Sequence, residues 1–324
     1  MPCYKPLKAY YGPGGPKFKI SESFGTKFPI ELPCGRCIGC RLEKAKEWAL
    51  RCTHEAQMHQ ANLFVTLTYA TENLPKNNSL DHHDFQKFIR ALRQGLNRQS
   101  KEKPIRYYMC GEYGNICCDH GGWIDEPVQD LDQCKTCRTG RPHFHAILFD
   151  LELPDKYLWR TSNGNRIYRS PTLERYWKHG NSELGHVSFQ SAGYVARYCL
   201  KKQNGEYAKL AYGILDTDTG EITDEQIKPP YTAMSLKPGI GSTWYEKYKS
   251  DLWPHDYAIT PDGRQTPVPT YYRRLLEREN PKLAEKLRKA RVEKARLNPD
   301  NSDERLATRE FCKTKQAERL IRSL

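Results

Sequence analysis

The chain has 324 residues, enough for one large core or two modest ones, and its 52 Lys and Arg residues exceed its 39 Asp and Glu residues by 13. An aromatic fraction of 11% that includes 20 tyrosines accompanies this charge, and cations that meet phosphates together with rings that stack on bases suit a nucleic-acid partner. A merely soluble basic protein is the alternative that charge alone leaves open, and no small-molecule substrate is expected. No run approaches the roughly 18 apolar residues of a membrane span, and the first residues lack the apolar core of a signal peptide, which predicts a cytosolic protein without a membrane partner.

The N-terminal segment is rich in Pro, Gly and Cys and predicts irregular or short extended structure up to about residue 33. Twelve cysteines in a cytosolic chain are more typical of reduced, buried or metal-bound thiols than of disulfides. The motif CGRCIGC is typical of thiolates that converge on zinc, although cysteines packed at the start of a helix are the alternative. The expected zinc ligands are Cys34, Cys37, Cys40 and, as the fourth, Cys3, with Cys52 or His54 as the other choices.

The segment from Arg41 to about residue 205 alternates between helical and strand-like patterns. A helix from Arg41 precedes strand 62–69, a helix capped by Ser79 or Asp81, strand 105–114, strand 142–149, a short helix over 170–177 capped by Ser170, strand 186–190, and a helix over 191–202. This order predicts an α+β fold of the ferredoxin-like, RRM-like split βαβ type, with a central antiparallel sheet and two helices on one face.

Three regions follow from these patterns: a Cys-rich segment with one helix (1–60), a principal domain (61–205) that contains a Cys/His insertion (115–140), and a C-terminal region (206–324). The last region includes polar and aromatic stretches that the sequence does not place in a fold. It ends in two predicted basic helices, from residue 280 onward, which favour a solvated packing arm over a dedicated DNA-binding arm.

The third predicted strand contains the motif HFH, in which His143 and His145 share one side while Phe144 enters the opposite layer. Such a pair is weak evidence for a metal site by itself. Glu112 lies near the end of the preceding strand, and antiparallel pairing would bring its carboxylate beside both imidazoles. Two histidines and one carboxylate would hold a divalent ion such as Mg²⁺ or Mn²⁺ and leave coordination positions open to a substrate oxygen.

Two further groups could carry chemistry. In the insertion, Cys117 or Cys118 with His120, Cys134 and Cys137 would form a tetrahedral zinc knuckle, the alternative being free thiols in a loop. In the last helix, Tyr194 and Tyr198 stand four residues apart on one face, and Lys201 follows within the next turn. Taken alone, this spacing is more typical of a buried aromatic stripe, but opposite a metal site a tyrosine can attack a phosphodiester.

Three segments together resemble the HUH endonucleases. LFVTLTY resembles the first Rep motif, RPHFHAILF the two-histidine motif, and YVARYCLKK the tyrosine motif in its two-tyrosine version. LPCGRCIGCRLEKAKEWALRC, FVTLTY, CGEYG and SNGNRIY resemble more particularly the replication initiators of gokushovirus-type microviruses, over roughly residues 30 to 260.

The resemblance implies a metal-dependent, site-specific DNA nickase and strand transferase that initiates rolling-circle replication in the cytoplasm of a bacterial host. One tyrosine would attack the scissile phosphate at the phage origin in single-stranded DNA, stay joined to the 5′ phosphate, and leave a 3′ hydroxyl for host polymerase. A second tyrosine can act when the strand is rejoined. The match makes Tyr194 and Tyr198 the nucleophile candidates, with Lys201 beside them as a third catalytic candidate.

Other functions fit less well. HEAQMH, from His54, has one residue too many for the HExxH of a metalloprotease, and no HxE precedes CKTC as a zinc deaminase requires. No GxxxxGK[ST] supports a built-in helicase, so unwinding would need a host helicase. The serious alternative is a non-catalytic, zinc-containing protein that binds single-stranded nucleic acid through aromatics on its central strands, as RRM domains do.

Overall fold

The computed structural model describes residues 3–12, 15–18, 30–97, 105–117, 140–162, 164–197, 208, 212–215, 219 and 222–321. The chain forms two compact units. One comprises Met1–Glu47, Ser250–Ile259 and Gln265–Leu324, and the other comprises Trp48–Lys249 and Thr260–Arg264. In the parts that the structure describes, no helix is long and apolar enough to cross a membrane.

Strands and helices follow one another along the described chain as follows. The N-terminal half contains β1 (Leu7–Gly12), β2 (Gly15–Lys17), β3 (Ile30–Leu32), α1 (Ile38–Ala56), β4 (Asn62–Thr68), α2 (His82–Asn97), β5 (Arg106–Cys117), β6 (Gly140–Phe149), β7 (Tyr157–Ser162) and β8 (Asn165–Arg169). The C-terminal half contains α3 (Pro171–Tyr176), β9 (Ser182–His186), α4 (Phe189–Arg197), β10 (Gly213–Leu215), β11 (Ile222–Gln226), β12 (Tyr231–Met234), α5 (Ser242–Tyr248), β13 (Tyr257–Ile259), β14 (Gln265–Pro267), α6 (Thr270–Glu279), α7 (Pro281–Arg296) and α8 (Asp303–Ile321).

A seven-stranded antiparallel sheet organises the second unit, in the order β12-β5-β6-β4-β9-β8-β7. Its four middle strands, β5-β6-β4-β9, have the order and connections of the split βαβ plan. The predicted α+β fold is therefore confirmed. β12 adds an edge strand from a region that the sequence did not place, and the β7–β8 hairpin adds two strands at the other edge.

The sheet has two chemically different faces because side chains alternate along each strand. Leu63, Val65 and Leu67 of β4 are buried on one face, which we call the α2 face, where they share a core with α2 and α3. This core includes Phe85, Phe88, Met109, Phe144, Leu173 and Trp177. On the opposite face, which we call the α4 face, Phe64 lies edge-on to Tyr194 of α4 with ring centroids 6.3 Å apart. The two helices of the split βαβ plan thus share one face, and the extra helix packs on the other.

Helix starts are fixed by local capping. Asp81 accepts a hydrogen bond from the His83 amide at 2.8 Å, and the Ser170 hydroxyl accepts one from the Leu173 amide at 3.2 Å. Of the two cap candidates for α2, the sequence therefore had the right one in Asp81, and the Ser79 hydroxyl instead accepts from the Lys228 amide. These caps satisfy amides that would otherwise lack partners at the helix ends.

The strand predicted over residues 186–190 is wrong. The strand lies earlier, at Ser182–His186, and Phe189 already belongs to α4. Ser188 and Ser191 explain the shift, because each hydroxyl accepts a hydrogen bond from the other residue's amide, at 3.0 and 2.8 Å. This reciprocal pair is a capping box, and it starts the helix where the β-branched and aromatic residues alone favoured a strand.

The first unit contains the N-terminal three-stranded sheet, β2-β1-β3, and the three C-terminal helices. The two basic helices predicted from residue 280 are present as α7 and α8. α7 begins at Pro281 behind Asn280, whose side chain accepts from the Leu283 amide at 3.0 Å. Arg291 of α7 pairs with both oxygens of Asp256, at 2.6 and 2.8 Å. Most side chains of α7 are exposed, so it packs through few residues.

Candidate metal centre and tyrosine site

The neighbouring strands β5 and β6 bring Glu112, His143 and His145 together on the α4 face. Their register pairs Glu112 with His143 and Cys110 with His145. Because alternate residues share a face, the two histidines project on the same side as Glu112, whereas Phe144 is fully buried in the core of the α2 face. We call these three residues the triad. A candidate ligand atom from each lies within 4.8 Å of the others.

The triad is compact and closed to solvent on the carboxylate side. Glu112 Oε1 lies 2.9 Å from His143 Nε2 and 3.1 Å from His145 Nε2. The Glu112 side chain is only 2% exposed, and among the described residues none donates a hydrogen bond to its second oxygen, Oε2. A buried carboxylate oxygen without a donor is costly, and a bound cation would compensate it.

The outer nitrogens of both rings are held by hydrogen bonds. His143 Nδ1 lies 3.1 Å from the Arg141 carbonyl, and since a carbonyl only accepts, Nδ1 is the donor. Without a bound ion, Nε2 lies within hydrogen-bonding distance of Glu112 Oε1, at 2.9 Å. With an ion bound, the Nε2 lone pair would be free to share that ion with the carboxylate, because Nδ1 carries the proton of the neutral ring. His145 Nδ1 makes the corresponding bond, 2.9 Å long, to the Thr66 hydroxyl. Thr66 was not singled out by the sequence and is recognised only through its pairing with His145 across the β4–β6 ladder.

The electrostatics of Glu112 also favour the anionic ligand. Burial by itself would raise the pKa of this carboxyl, but the hydrogen bonds and charge of His143 and His145 outweigh it and hold the pKa below its ordinary value. The carboxylate is therefore available as a ligand at neutral pH. A set of two imidazoles and one carboxylate fits a divalent cation with positions left open for substrate oxygens.

Tyr194 lies beside the triad. It belongs to α4, and its ring centroid is 5.2 Å from that of His145 in an edge-on arrangement. Its phenol therefore belongs to the same small region of the α4 face as the candidate metal ligands. Tyr198 and Lys201 lie outside the described residues, as do Cys118, His120, Cys134 and Cys137 of the insertion. Cys117 ends β5, and its side chain is outside the described part of the chain as well.

Arg141 is a second residue that the sequence analysis missed. It precedes His143 by two positions on β6, so its side chain leaves the strand on the same face. Its Nη2 donates to the Thr71 hydroxyl at 2.6 Å. In the sequence RPHFH this arginine stands two positions before the first histidine. A single arginine next to a motif does not indicate a position at the site unless the strand and its face are known.

Four cysteines form a second cluster, in the first unit. The sulfur atoms of Cys3, Cys34, Cys37 and Cys40 all lie within 4.8 Å of one another. Backbone amides surround them: those of Tyr4, Cys34 and Cys37 donate to sulfur atoms of the cluster at 3.2–3.3 Å. Cys52 and His54 are buried elsewhere, and His54 stacks on Trp244. The geometry therefore groups Cys3, the first choice, with the CGRCIGC cysteines.

Amide donors change the acidity of one thiol in this cluster. Burial would raise the pKa of Cys34, but the amides of Cys37 and Arg36 outweigh it and lower the pKa to about 7. Burial raises the pKa of Cys40 in the absence of a metal. The cluster also has a hydrophobic side, where Cys37 packs in one apolar group with Tyr4 and with Leu306 of α8.

Comparison with known proteins places these features in a family. The model of the "Replication-associated protein ORF2/G2P" family matches residues 62–120 and 134–203, the span that contains the triad and Tyr194. Replication-associated protein VP4 of Bdellovibrio phage phiMH2K is 35% identical over 286 residues, which cover 87% of this chain and 79% of that protein. Replication-associated protein ORF2 of Spiroplasma virus 4 is 29% identical over 302 residues, covering 86% of this chain and 81% of the relative. A shorter match, 29% identical over 181 residues, covers 54% of this chain and 39% of replication-associated protein ORF4 of Chlamydia phage 1. No solved structure matches the chain significantly. The protein belongs to the replication-associated protein ORF2/G2P family.

Proposed function

We propose that this protein is a metal-dependent HUH-type nickase and strand transferase that initiates rolling-circle replication at the origin of a single-stranded DNA phage. The observation that carries the proposal is the position of Tyr194 beside the triad, with ring centroids 5.2 Å apart between Tyr194 and His145. Relatives that are replication-associated proteins of phages support the biological setting. A nucleophile next to a divalent-cation site is the arrangement that phosphodiester cleavage by a tyrosine requires.

In the proposed reaction the Tyr194 oxygen attacks the scissile phosphorus and forms a tyrosine–phosphate ester. The phenol loses its proton, the bond from phosphorus to the 3′ oxygen breaks, and that oxygen takes up one proton, so that a 3′ hydroxyl is released. When bound, a divalent cation such as Mg²⁺ or Mn²⁺ polarises the phosphate and stabilises its developing charge. Glu112, His143 and His145 would hold the ion, and Thr66 would orient His145 through its Nδ1.

Rejoining reverses this chemistry, with a 3′ hydroxyl attacking the phosphotyrosyl ester and releasing the phenol. Tyr198, four residues after Tyr194 in the sequence, is the candidate for the second transfer, and Lys201 is the candidate for a cation near the phosphate. The rival proposal, a binding module that stacks bases on the central strands, is less well supported, because β6 presents His143 and His145 on its α4 face and buries Phe144 on the other.

A covalent-adduct assay tests the nickase directly. Purified protein is incubated with Mn²⁺ or Mg²⁺ and single-stranded oligonucleotides tiled across the genome, and DNA-linked protein is resolved on a denaturing gel. Loss of the band in the Tyr194→Phe Tyr198→Phe double variant, with retention in Tyr248→Phe as a control from α5, would support tyrosine catalysis. The single variants rank the two phenols. Tight DNA binding without an adduct on any oligonucleotide would refute the nickase in favour of the binding module.

We also propose that the ion held by Cys3, Cys34, Cys37 and Cys40 is zinc in a structural site. Sites of four thiolates select zinc over hard cations such as Mg²⁺. Four protein ligands leave no coordination position of a zinc ion open to substrate, which suits a structural role. The cluster's amide donors and the lowered pKa of Cys34 support thiolate ligands. A second zinc at Cys117, His120, Cys134 and Cys137 stays a prediction.

Elemental analysis separates these possibilities. Cys37→Ser should lower the zinc content by about one ion per chain relative to the wild type, whereas Cys312→Ser, an exposed cysteine outside the cluster, should leave it unchanged. Equal zinc in Cys37→Ser and wild-type protein would refute the four-cysteine site. Host helicase and polymerase are the proposed partners in the bacterial cytoplasm, and a pull-down from infected cells that recovers neither would count against them.

A further inference from the structure

The β7–β8 hairpin exposes a row of large apolar side chains at an edge of the sheet. Tyr157, Leu158 and Trp159 follow one another on β7 and are 45%, 54% and 51% exposed. Every residue of β7 except the last is exposed, and β8 joins β9 through the Tyr168–Leu184 pair. Three consecutive exposed apolar residues on an edge strand are a liability for a protein unless they serve as a binding surface.

The charge of the hairpin indicates the kind of partner. The stretch KYLWRTSNGNRIYR, residues 156–169, contains four basic residues and no Asp or Glu. Two of the four, Arg160 and Arg169, form ion pairs with acids outside the hairpin, whereas Lys156 and Arg166 are exposed. Aromatic rings combined with a local excess of positive charge are the two components from which proteins build sites for single strands.

A β-bulge interrupts β7 at Trp159. The hairpin register shifts between Leu158 and Arg160, leaving Trp159 as the extra residue. The Arg169 guanidinium lies over the Trp159 ring, 4.9 Å from its centroid. A stacked ring and guanidinium form a flat platform to which a base can add on the open side.

A series of contacts connects Arg160 of the hairpin to the triad along the α4 face. Arg160 makes a two-pronged ion pair with Glu183 of β9, Glu183 pairs in register with Thr66 of β4, and the Thr66 hydroxyl contacts His145. Paired residues on adjacent strands project on the same face, so Arg160 and the triad share the α4 face. Four strand spacings, about 19 Å in all, separate β7, which carries Trp159, from β6, and a few nucleotides of extended strand would span this distance.

We infer that the β7–β8 hairpin is a binding site for single-stranded DNA, with Trp159 and Arg169 as the stacking platform and Arg160, which is half exposed on the α4 face, as a phosphate contact. The inference rests on the proposed function in one respect, because the strand bound here is the one whose phosphate reaches the triad. Binding at the hairpin itself needs neither the metal nor the tyrosine.

The test measures the affinity for fluorescein-labelled dT30 by anisotropy, without added Mg²⁺ or Mn²⁺. Trp159→Ala should weaken binding about tenfold, the loss expected when one stacked base is released, and Trp159→Phe should recover most of it. Arg160→Ala should lower the slope of log affinity against log salt concentration by about 0.7, the value for one phosphate contact to a single strand. The controls are Leu236→Ala, another exposed apolar residue, and Arg264→Ala, another exposed arginine, and both should bind as wild type.

Three results are decisive. Affinity within twofold of wild type in Trp159→Ala and Arg160→Ala, with unchanged circular dichroism, would overturn the inference. A change of molecular mass by light scattering in Trp159→Ala at unchanged affinity would also overturn it and assign the hairpin to contacts between protein chains. A wild-type protein that forms no DNA adduct but depends on Trp159 for dT30 affinity would refute the nickase and leave the hairpin site standing.

Discussion

Replacing Glu112 by glutamine removes the one negative charge of the triad while keeping the shape of the side chain. Two unit charges 4 Å apart attract by about 4 kcal/mol at an effective dielectric of 20, and a doubly charged ion doubles this to about 8 kcal/mol. Desolvation of the ion offsets much of that attraction. If a third of the attraction remains after desolvation, Glu112 contributes about 2.7 kcal/mol to metal binding, and Glu112→Gln lowers the metal affinity about 100-fold.

Thermal unfolding with and without Mn²⁺ measures this loss. At a Mn²⁺ concentration about 100 times the wild-type dissociation constant, the bound ion stabilises the wild type by about 2.7 kcal/mol, but a variant with 100-fold weaker binding by only about 0.4 kcal/mol. For a unit of this size the corresponding rises in Tm are about 5–10 °C and about 1 °C.

The matched control is Glu55→Gln. Glu55 is as buried as Glu112, but its partners are Arg106, His59 and the Gly241 amide, so this change should lower the basal Tm and leave the Mn²⁺-induced rise intact. An equal Mn²⁺-induced rise in Glu112→Gln and the wild type would refute the carboxylate as a ligand and, with it, the triad as the metal centre.

Three other changes probe separate parts of the structure. Thr66→Val removes the hydroxyl that contacts His145 Nδ1 and should weaken Mn²⁺ binding about 10- to 100-fold, as measured by calorimetry. An unchanged Mn²⁺ affinity would show that Thr66 does not orient His145. Burial lowers the pKa of His54 from 6.5 to about 3, so between these two values the unfolded chain takes up a proton that the folded chain does not. The contribution of His54 to the free energy of unfolding is therefore fully present above pH 6.5 and falls by about 2 kcal/mol between pH 7 and pH 5. His54→Phe, which keeps the ring stacked on Trp244, should flatten that dependence in urea unfolding, and an unaltered slope would assign the acid sensitivity elsewhere. Leu306→Ala leaves a cavity beside the cysteine cluster and should lower the local free energy of unfolding by about 2–5 kcal/mol. The loss should appear as faster hydrogen exchange over 303–321, and unchanged exchange would contradict that packing.

Local patterns in the sequence were sufficient for the central part of the fold. The β-branched and aromatic residues of NLFVTLTY indicate β4, and HFH on a strand places both imidazoles on one side. Antiparallel pairing of consecutive strands then predicts that Glu112 lies next to His143, as the register has it. These inferences work because a strand fixes side-chain direction over short distances.

Two other features were missed for different physical reasons. The β7–β8 hairpin carries the Asn-Gly type of turn signal in SNGNRIY, and Gly164 has φ +75° there, so the sequence contained the information. β12 is different, because Tyr231 pairs with Gly111 at a separation that no local pattern reports. Cys3 was not missed: it was the first choice of fourth cysteine ligand, with Cys52 and His54 left open.

The β5–β6 ladder does not stop at the Glu112–His143 pair. It continues through Tyr113–Pro142 and, past a bulge, to Cys117–Gly140, where the backbones approach so closely that a Cβ on Gly140 would lie 1.6 Å from the Gly114 carbonyl oxygen. The strands are thus aligned beyond the triad before the chain leaves them. Consequently, the ladder itself sets the register that spaces Glu112 and His143, and a fluorescent reporter inserted between residues 117 and 140 should leave Mn²⁺ binding at the triad unchanged.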